Sequence, residues 1–176
     1  MAVLDFITKH LRYHKVLPLI KQLEDCYNRP LSILDAGGSA GDFHKILRSR
    51  GHNVLVCDLD LDADFIWNLE NPLPFKDKEF DLSVSLAVVE HLNNYSLFLD
   101  ELKRVSCNVI VTTPTVRGKH VLELLATLRL VNKSHIDDHK YYLSVDDFIG
   151  KGYSYKTFFF GLNSVACYSD FDIINL

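Results

Sequence analysis

The residues best suited to bind a charged ligand form a short glycine-rich stretch in the first quarter of the chain. The apolar residues Ile33 and Leu34 are followed by Asp35, and positions 37–41 read Gly-Gly-Ser-Ala-Gly. Glycine tolerates positive φ angles and lets a ligand approach the main chain closely. A helix that starts after such a turn offers backbone N–H groups without partners inside the helix. The stretch is therefore predicted to be a ligand-binding turn between a strand and a helix.

A second candidate binding residue is Asp58, which directly follows the apolar run Val54–Cys57. A carboxylate at the end of such a strand can accept hydrogen bonds from both hydroxyls of a ribose. Asp60 is the alternative, because strand residues at i and i+2 share a face. We predict that Asp58 lies at the strand end itself and that Asp60 lies on the loop beyond it.

Two common classes of nucleotide site are disfavoured by the details of this turn. A P-loop needs the pattern GxxxxGK followed by Ser or Thr, and no lysine occupies that place. A dinucleotide site needs GxGxxG facing a pyrophosphate, which would also bring Asp35 close to a like charge. The turn instead favours a ligand that carries positive charge next to Asp35.

Apolar runs that alternate with helical patterns indicate that an α/β fold positions these residues. Predicted strands cover 31–36, 53–57, 65–67, 80–86, 107–112, 155–160 and 164–168. Predicted helices cover 42–50 and 88–105, and the N-terminal segment 1–28 carries apolar residues at helical spacing on both sides of Pro18. This order predicts one three-layer domain over 1–176, with a mostly parallel sheet, an antiparallel edge and an insertion at 113–150.

The connection between the second and third strands is unusually short. A crossover that contains a helix needs at least ~10–12 residues, and the strand that ends near Asp58 is followed by another at Phe65. The helix is therefore predicted to be shortened or absent. Asp60, Asp62 and Asp64 are predicted to form an open acidic loop.

Composition narrows the classes of partner and compartment. The chain has 176 residues, of which 48% are hydrophobic and 24% charged, and its formal net charge is −4. That charge argues against non-specific binding to nucleic acids or anionic membranes. No apolar run approaches the roughly 18 residues of a membrane span, and the N-terminus lacks the features of a signal peptide. The four cysteines form no CxxC pair, so reduced thiols, no metal site and a cytoplasmic location are expected.

From the turn onwards, the sequence resembles the class I S-adenosylmethionine-dependent methyltransferases. Their turn reads hydrophobic-hydrophobic-Asp/Glu-x-Gly-x-Gly-x-Gly; Asp35, Gly37 and Gly41 match it, and Ser39 replaces the middle glycine. Further matches are the Leu-Pro-Phe segment within 72–81, the Glu-His-Leu tripeptide at 90–92, the strand end at 109–114 and the stretch 139–148. The resemblance covers about 31–168, and the order and spacing of these motifs make it specific.

The resemblance implies a Rossmann-like methyltransferase fold, S-adenosylmethionine as cofactor and S-adenosylhomocysteine as product. It also implies that cofactor-binding residues lie at the ends of the first four strands. These are Asp35, Gly37, Gly38, Ser39, Gly41, Asp58, Leu59, Asn68, Leu69, Ser85 and Leu86. Asn68 is the expected partner of the adenine, with Glu70 as second choice.

The implied reaction is methyl transfer to a small molecule or metabolite, with no nucleic acid as substrate and no stable insertion in a membrane. His91 and His139 are the two candidates for a general base. The insertion 113–150 is expected to roof the acceptor site. Two alternatives remain at this point: a non-catalytic binding protein with a degenerate cofactor site, and a nicotinamide oxidoreductase, which Asp35 disfavours.

Overall fold

A seven-stranded sheet forms the centre of the protein in the computed structural model, which describes residues 3–119, 121, 140–171, 173–174 and 176. The strands are β1 (Ser32–Ala36), β2 (Asn53–Asp58), β3 (Phe65–Ile66), β4 (Phe80–Leu86), β5 (Ser106–Pro114), β6 (Ser154–Phe158) and β7 (Asn163–Ser169). Their order is β3-β2-β1-β4-β5-β7-β6. The first five strands are parallel, and β7 runs antiparallel to both β5 and β6. The predicted fold class is confirmed, with the β7–β6 pair as its antiparallel edge.

Helices cover both faces of the sheet and complete the three layers. They are α1 (Val3–Tyr27), α2 (Phe43–Ser49), α3 (Tyr95–Val105) and α4 (Val145–Ile149). Apolar side chains of α1 and α2 pack with Ile33, Leu82 and Ile110 on one face, whereas α3 and α4 pack with Leu34 and Val109 on the other. Pro18 lies inside α1 and does not divide it. Among the described residues, no helix is long and apolar enough to cross a membrane.

The topology brings the carboxyl ends of β1, β2, β4 and β5 to one edge of the sheet. The chain leaves β1 towards β2 on one side and later returns to β4 on the other, so a crevice opens beyond β1 at this reversal. Asp35 pairs in register with Val56, and Ala36 pairs with Cys57. The glycine turn and Asp58 are therefore neighbours at this edge.

The prediction of one continuous helix over 88–105 is wrong for residues 88–94. A short 3₁₀ turn, Val89–His91, follows β4, and α3 begins only at Tyr95. The Asn94 side chain accepts a hydrogen bond from the Leu97 N–H, and the Glu70 carboxylate accepts the N–H groups of Asn93 and Asn94. These bonds satisfy the start of α3 and separate it from the turn.

The β2–β3 connection contains no helix, as predicted. Of its three acidic residues, Asp64 does not lie open on the loop as expected. Asp60 and Asp62 are exposed on the loop, where Asp60 Oδ1 accepts the Asp62 N–H. Asp64 instead turns back onto the sheet: its Oδ2 accepts the Val56 N–H at 2.7 Å and pairs with Arg48. Asp64 thus satisfies a β2 donor that the two-residue strand β3 does not reach.

We expect Asp64→Ala to lower the free energy of unfolding by about 1–3 kcal/mol, because the buried Val56 N–H loses its acceptor. Urea denaturation measures the change. Asp62→Ala is the matched control from the same loop and should stay within about 0.5 kcal/mol of wild type. Equal losses in the two variants would contradict the role of Asp64.

Candidate functional site

The glycine turn has little space for side chains on its inner side. Gly37 adopts a φ of +84° and donates its N–H to the Cys57 carbonyl at 2.9 Å, which extends the β1–β2 pairing by one step. A Cβ on Gly37 would collide with the side chain of Val88, which follows β4. Glycine is therefore required here by both conformation and packing.

The carboxylate of Asp35 lies directly beneath the backbone of the turn. A Cβ on Gly38 would overlap the carboxyl group of Asp35. Asp35 is only 1% exposed, and its Oδ2 has no hydrogen-bond partner among the residues that the structure describes. A buried acceptor left unmatched costs free energy, so this oxygen indicates a place where a ligand can donate.

The electrostatic environment of Asp35 supports the same conclusion. Burial, followed by the nearby charge of Asp58, raises the pKa of Asp35 to about 7, and the positive charge of Arg48 opposes this only in part. The ionised carboxylate is therefore poorly stabilised by the protein itself. A ligand that carries positive charge would stabilise it.

Asp58 is the last residue of β2, as predicted. Its carboxylate contacts the turn through Ser39, whose role the sequence did not reveal. Asp58 Oδ2 accepts hydrogen bonds from Ser39 Oγ at 2.5 Å and Ser39 N at 3.1 Å, and Oδ1 accepts the Leu59 N–H at 2.7 Å. A carboxylate has about four acceptor positions. Hence Asp58 is held in a fixed orientation, and a ribose would have to share it with the Ser39 hydroxyl.

The other predicted cofactor residues lie along the same edge with different exposures. Leu59 is 65% exposed, Leu69 is buried and Leu86 is half-buried at the end of β4. Asn68 is exposed, and its Oδ1 accepts the Glu70 N–H at 3.0 Å. Glu70, the second choice for the adenine, is engaged with Asn93 and Asn94 instead. The Asn68 side-chain oxygen is thus engaged within its own loop.

A buried carboxylate next to the predicted His91 escaped the sequence analysis. Glu90 is 1% exposed, and neither of its side-chain oxygens has a hydrogen-bond partner within the described part of the chain. Burial raises the pKa of Glu90, and its own backbone N–H, the neighbouring His91 and Arg12, and the nearby Thr113 hydroxyl oppose this shift. The Glu-His-Leu motif was the available signal, but nothing in it distinguishes a buried glutamate from an exposed one.

Unmatched hydroxyl groups accompany Glu90 at the carboxyl ends of β4 and β5. Ser85, Thr112 and Thr113 are buried, and their hydroxyls have no partner among the described residues. The Glu90 carbonyl accepts the N–H groups of Lys140 and Tyr141, so the end of the predicted insertion lies beside it. His139, the other predicted base, lies outside the described residues.

The pKa of Asp35 predicts a specific dependence of stability on pH. Because this pKa is about 7 in the fold and about 3.9 in an unfolded chain, ionisation of Asp35 opposes folding. The free energy of unfolding should therefore fall as pH rises from 4 to beyond 7, by about 4 kcal/mol from this group alone. Asp35→Asn should remove this loss and be more stable than wild type at pH 8. Urea denaturation across this range measures both.

Asp81→Asn is the control for this experiment, since Asp81 lies at the opposite end of the sheet and pairs with Arg29 at 2.7 Å. It should retain the wild-type loss of stability between pH 5 and 8. A wild-type slope in the Asp35→Asn variant would contradict the assignment.

Comparisons with known proteins agree with the geometry of this edge. A family model described as a methyltransferase domain matches residues 34–108, which include the end of β1, the turn, β2 and Glu90. An uncharacterised protein of Methanocaldococcus jannaschii is 26% identical over 149 residues, covering 78% of this chain and 60% of its own length. A malonyl-[acyl-carrier protein] O-methyltransferase of Buchnera aphidicola is 28% identical over 141 residues, covering 73% of this chain and 56% of its own length. The chain thus spans less than two thirds of the length of these two relatives.

A solved structure shares the fold. Magnesium protoporphyrin IX methyltransferase from Synechocystis PCC 6803, crystallised with bound S-adenosylhomocysteine, superposes with a TM-score of 0.64 at 16% identity. The similarity covers 91% of this chain and 83% of that one. The matched segment, the methyltransferase relative and the common fold support the resemblance of this chain to the class I S-adenosylmethionine-dependent methyltransferases.

Proposed function

We propose that the protein transfers the methyl group of S-adenosylmethionine to a small-molecule acceptor. The observation that carries this proposal is the buried carboxylate of Asp35, whose Oδ2 has no partner among the described residues and which lies beneath the glycines of the turn. A cofactor with an ammonium group supplies the donor and the positive charge that Asp35 lacks. The residues present therefore fit the cofactor of the family.

The proposed cofactor contacts follow from the chemistry at each strand end. Asp35 accepts from the ammonium group, and the backbone at Gly37, Gly38 and Gly41 allows close approach. Asp58 accepts from the ribose hydroxyls, held in place by Ser39. Leu59 and Leu69 offer apolar surface to the adenine, Asn68 donates to it, and Ser85 and Leu86 border the methionine portion. When bound, the cofactor supplies an electrophilic methyl carbon on a sulfonium.

We propose that the acceptor enters over the ends of β4 and β5. Residues Glu90, Thr112 and Thr113 there have unmatched polar atoms that a bound acceptor can pair with. Positioning of the acceptor atom is the main catalytic requirement. A hydroxyl acceptor also needs a base, for which Glu90 joins His91 and His139 as a candidate, since burial makes its carboxylate more basic. The proton of the acceptor passes to this base as the new bond to the methyl carbon forms.

The proposed class of acceptor and the proposed cellular location also rest on the net charge of the chain and on the state of its cysteines. A net charge of −4 does not suit a nucleic-acid acceptor, and the Buchnera aphidicola relative is named for a malonyl group borne on an acyl-carrier protein. All four cysteines are free. We therefore propose a small-molecule or metabolite acceptor, an acceptor-side role for the insertion 113–150 and a cytoplasmic location.

The ribose contact gives a direct test by titration calorimetry with S-adenosylhomocysteine. Asp58→Ala should weaken binding roughly ten- to a hundredfold, because hydrogen bonds to a charged acceptor contribute about 1.5–3 kcal/mol. Asp60→Ala is the matched control, since its carboxylate lies on the loop, and it should cost on the order of 0.5 kcal/mol.

A larger loss in Asp60→Ala would mean that the ribose lies further out on the loop. Wild-type affinity in both variants would remove the ribose contact from the account. Binding of NAD in place of S-adenosylhomocysteine would favour the oxidoreductase alternative.

A further inference from the structure

The turn between β6 and β7 presents aromatic side chains to solvent. Phe160 is 93% exposed, and the centroid of its ring lies 5.7 Å from that of the half-buried Phe159. Apolar side chains that lie together on a protein surface commonly mark a binding site. The tip of this hairpin is therefore a candidate contact with a partner.

The conformation of the tip gives no reason for a phenylalanine there. Phe159 and Phe160 adopt φ angles of +51° and +56°, in the left-handed region that glycine and asparagine tolerate better. Thr115 holds the turn in place, since its N–H donates to the Leu162 carbonyl at 3.0 Å and its hydroxyl donates to the Gly161 carbonyl at 2.6 Å. The exposed Phe160 ring thus contributes neither burial nor a favourable backbone to the fold.

The hairpin tip lies at the same edge of the sheet as the candidate site. Because β7 runs antiparallel to β5 and Asn163 pairs in register with Pro114, the turn stands beside the carboxyl end of β5. The unmatched hydroxyls of Thr112 and Thr113 belong to the last three residues of that strand. A partner bound at the tip would therefore lie next to the proposed acceptor entrance.

The helical turn 116–119, which follows β5, packs against the same hairpin. A Cβ on Gly118 would collide with the Leu162 carbonyl, so the two backbones are in close contact. This helical turn brings a further exposed apolar side chain, Val116, and the exposed Arg117 to the tip.

The charge of this region is opposite to that of the whole chain. The formal net charge is −4, yet neither 102–122 nor 148–169 contains an acidic residue. Lys156 is exposed on β6, the edge strand of the hairpin. The result is a basic and aromatic patch, here called the hairpin surface, formed by Val116, Arg117, Lys156, Phe159 and Phe160.

The size of the hairpin surface favours a membrane over a protein as its partner. A buried phenylalanine contributes about 150–250 Å², so two rings fall well below the roughly 800 Å² that each partner buries in a stable protein complex. A membrane interface needs only a few apolar side chains at the boundary of headgroups and acyl chains. Anionic lipids of a cytoplasmic leaflet attract basic residues beside them.

We propose that the hairpin surface binds reversibly to an anionic lipid membrane, with the Phe160 ring among the headgroups and the acceptor edge of the sheet facing the bilayer. The contact is made by side chains at the surface and involves no membrane-spanning segment. It does not depend on the proposed methyl transfer, because vesicle binding requires neither cofactor nor acceptor.

Sedimentation with lipid vesicles tests this contact. Wild type should bind vesicles of phosphatidylcholine and phosphatidylserine roughly tenfold or more tightly than vesicles of phosphatidylcholine alone. Phe160→Ala should weaken binding to the anionic vesicles roughly tenfold or more, because the ring no longer enters the interface. Phe160→Gly, which also relaxes the left-handed backbone, should behave in the same way.

Phe171→Ala is the matched control, since Phe171 is 67% exposed and follows β7 at the opposite edge of the sheet. It should bind the anionic vesicles within about twofold of wild type. Thermal unfolding of all variants checks that they remain folded.

Three results would overturn the membrane contact and leave the proposed function intact. They are wild type that binds neither kind of vesicle, equal weakening by Phe160→Ala and Phe171→Ala, and binding that ignores phosphatidylserine. A wild-type dimer that Phe160→Ala converts to a monomer, seen by analytical ultracentrifugation, would instead assign the hairpin surface to a second copy of the chain.

Discussion

The arrangement of this edge depends on the buried carboxylate of Asp35, whose Oδ2 has no hydrogen-bond partner among the described residues. Its position under the turn requires glycine at position 38, and the packing of Val88 requires glycine at position 37. Burial, followed by repulsion from the neighbouring Asp58, raises the pKa of Asp35 to about 7. The fold thus carries a group that opposes its own stability, which is expected where binding chemistry conflicts with packing.

The surrounding elements hold the other polar groups at fixed places around this carboxylate. Parallel pairing of β1 and β2 puts Asp58 beside the turn, and Ser39 fixes its orientation through two hydrogen bonds. The 3₁₀ turn after β4 places Glu90 beside the ends of β4 and β5. In the proposed function, cofactor and acceptor therefore meet between β1 and β4, where the strand order reverses.

Local patterns predicted the features that depend on neighbours in sequence. Apolar runs gave the strands, the end of one such run put Asp58 at the end of β2, and the short spacing to Phe65 predicted the missing helix. No comparable sequence pattern predicts contacts between residues that are far apart along the chain. In sequence, Ser39 is only a departure from the family pattern, and the fold is needed to bring its hydroxyl to Asp58. The sequence predicts an open loop at Asp64, because its bond to Val56 depends on how the loop after β2 folds back beside that strand.

Calorimetry of S-adenosylhomocysteine binding near pH 6.5, in phosphate and in imidazole buffer, tests the central role of Asp35 most directly. With a pKa of about 7, most Asp35 side chains are protonated at this pH. A ligand ammonium should drive them to ionise and release roughly half a proton or more per binding event. The binding heat should therefore differ between the buffers for wild type and not for Asp35→Asn. Binding without proton release in wild type, or the same release in Asp35→Asn, would contradict the account.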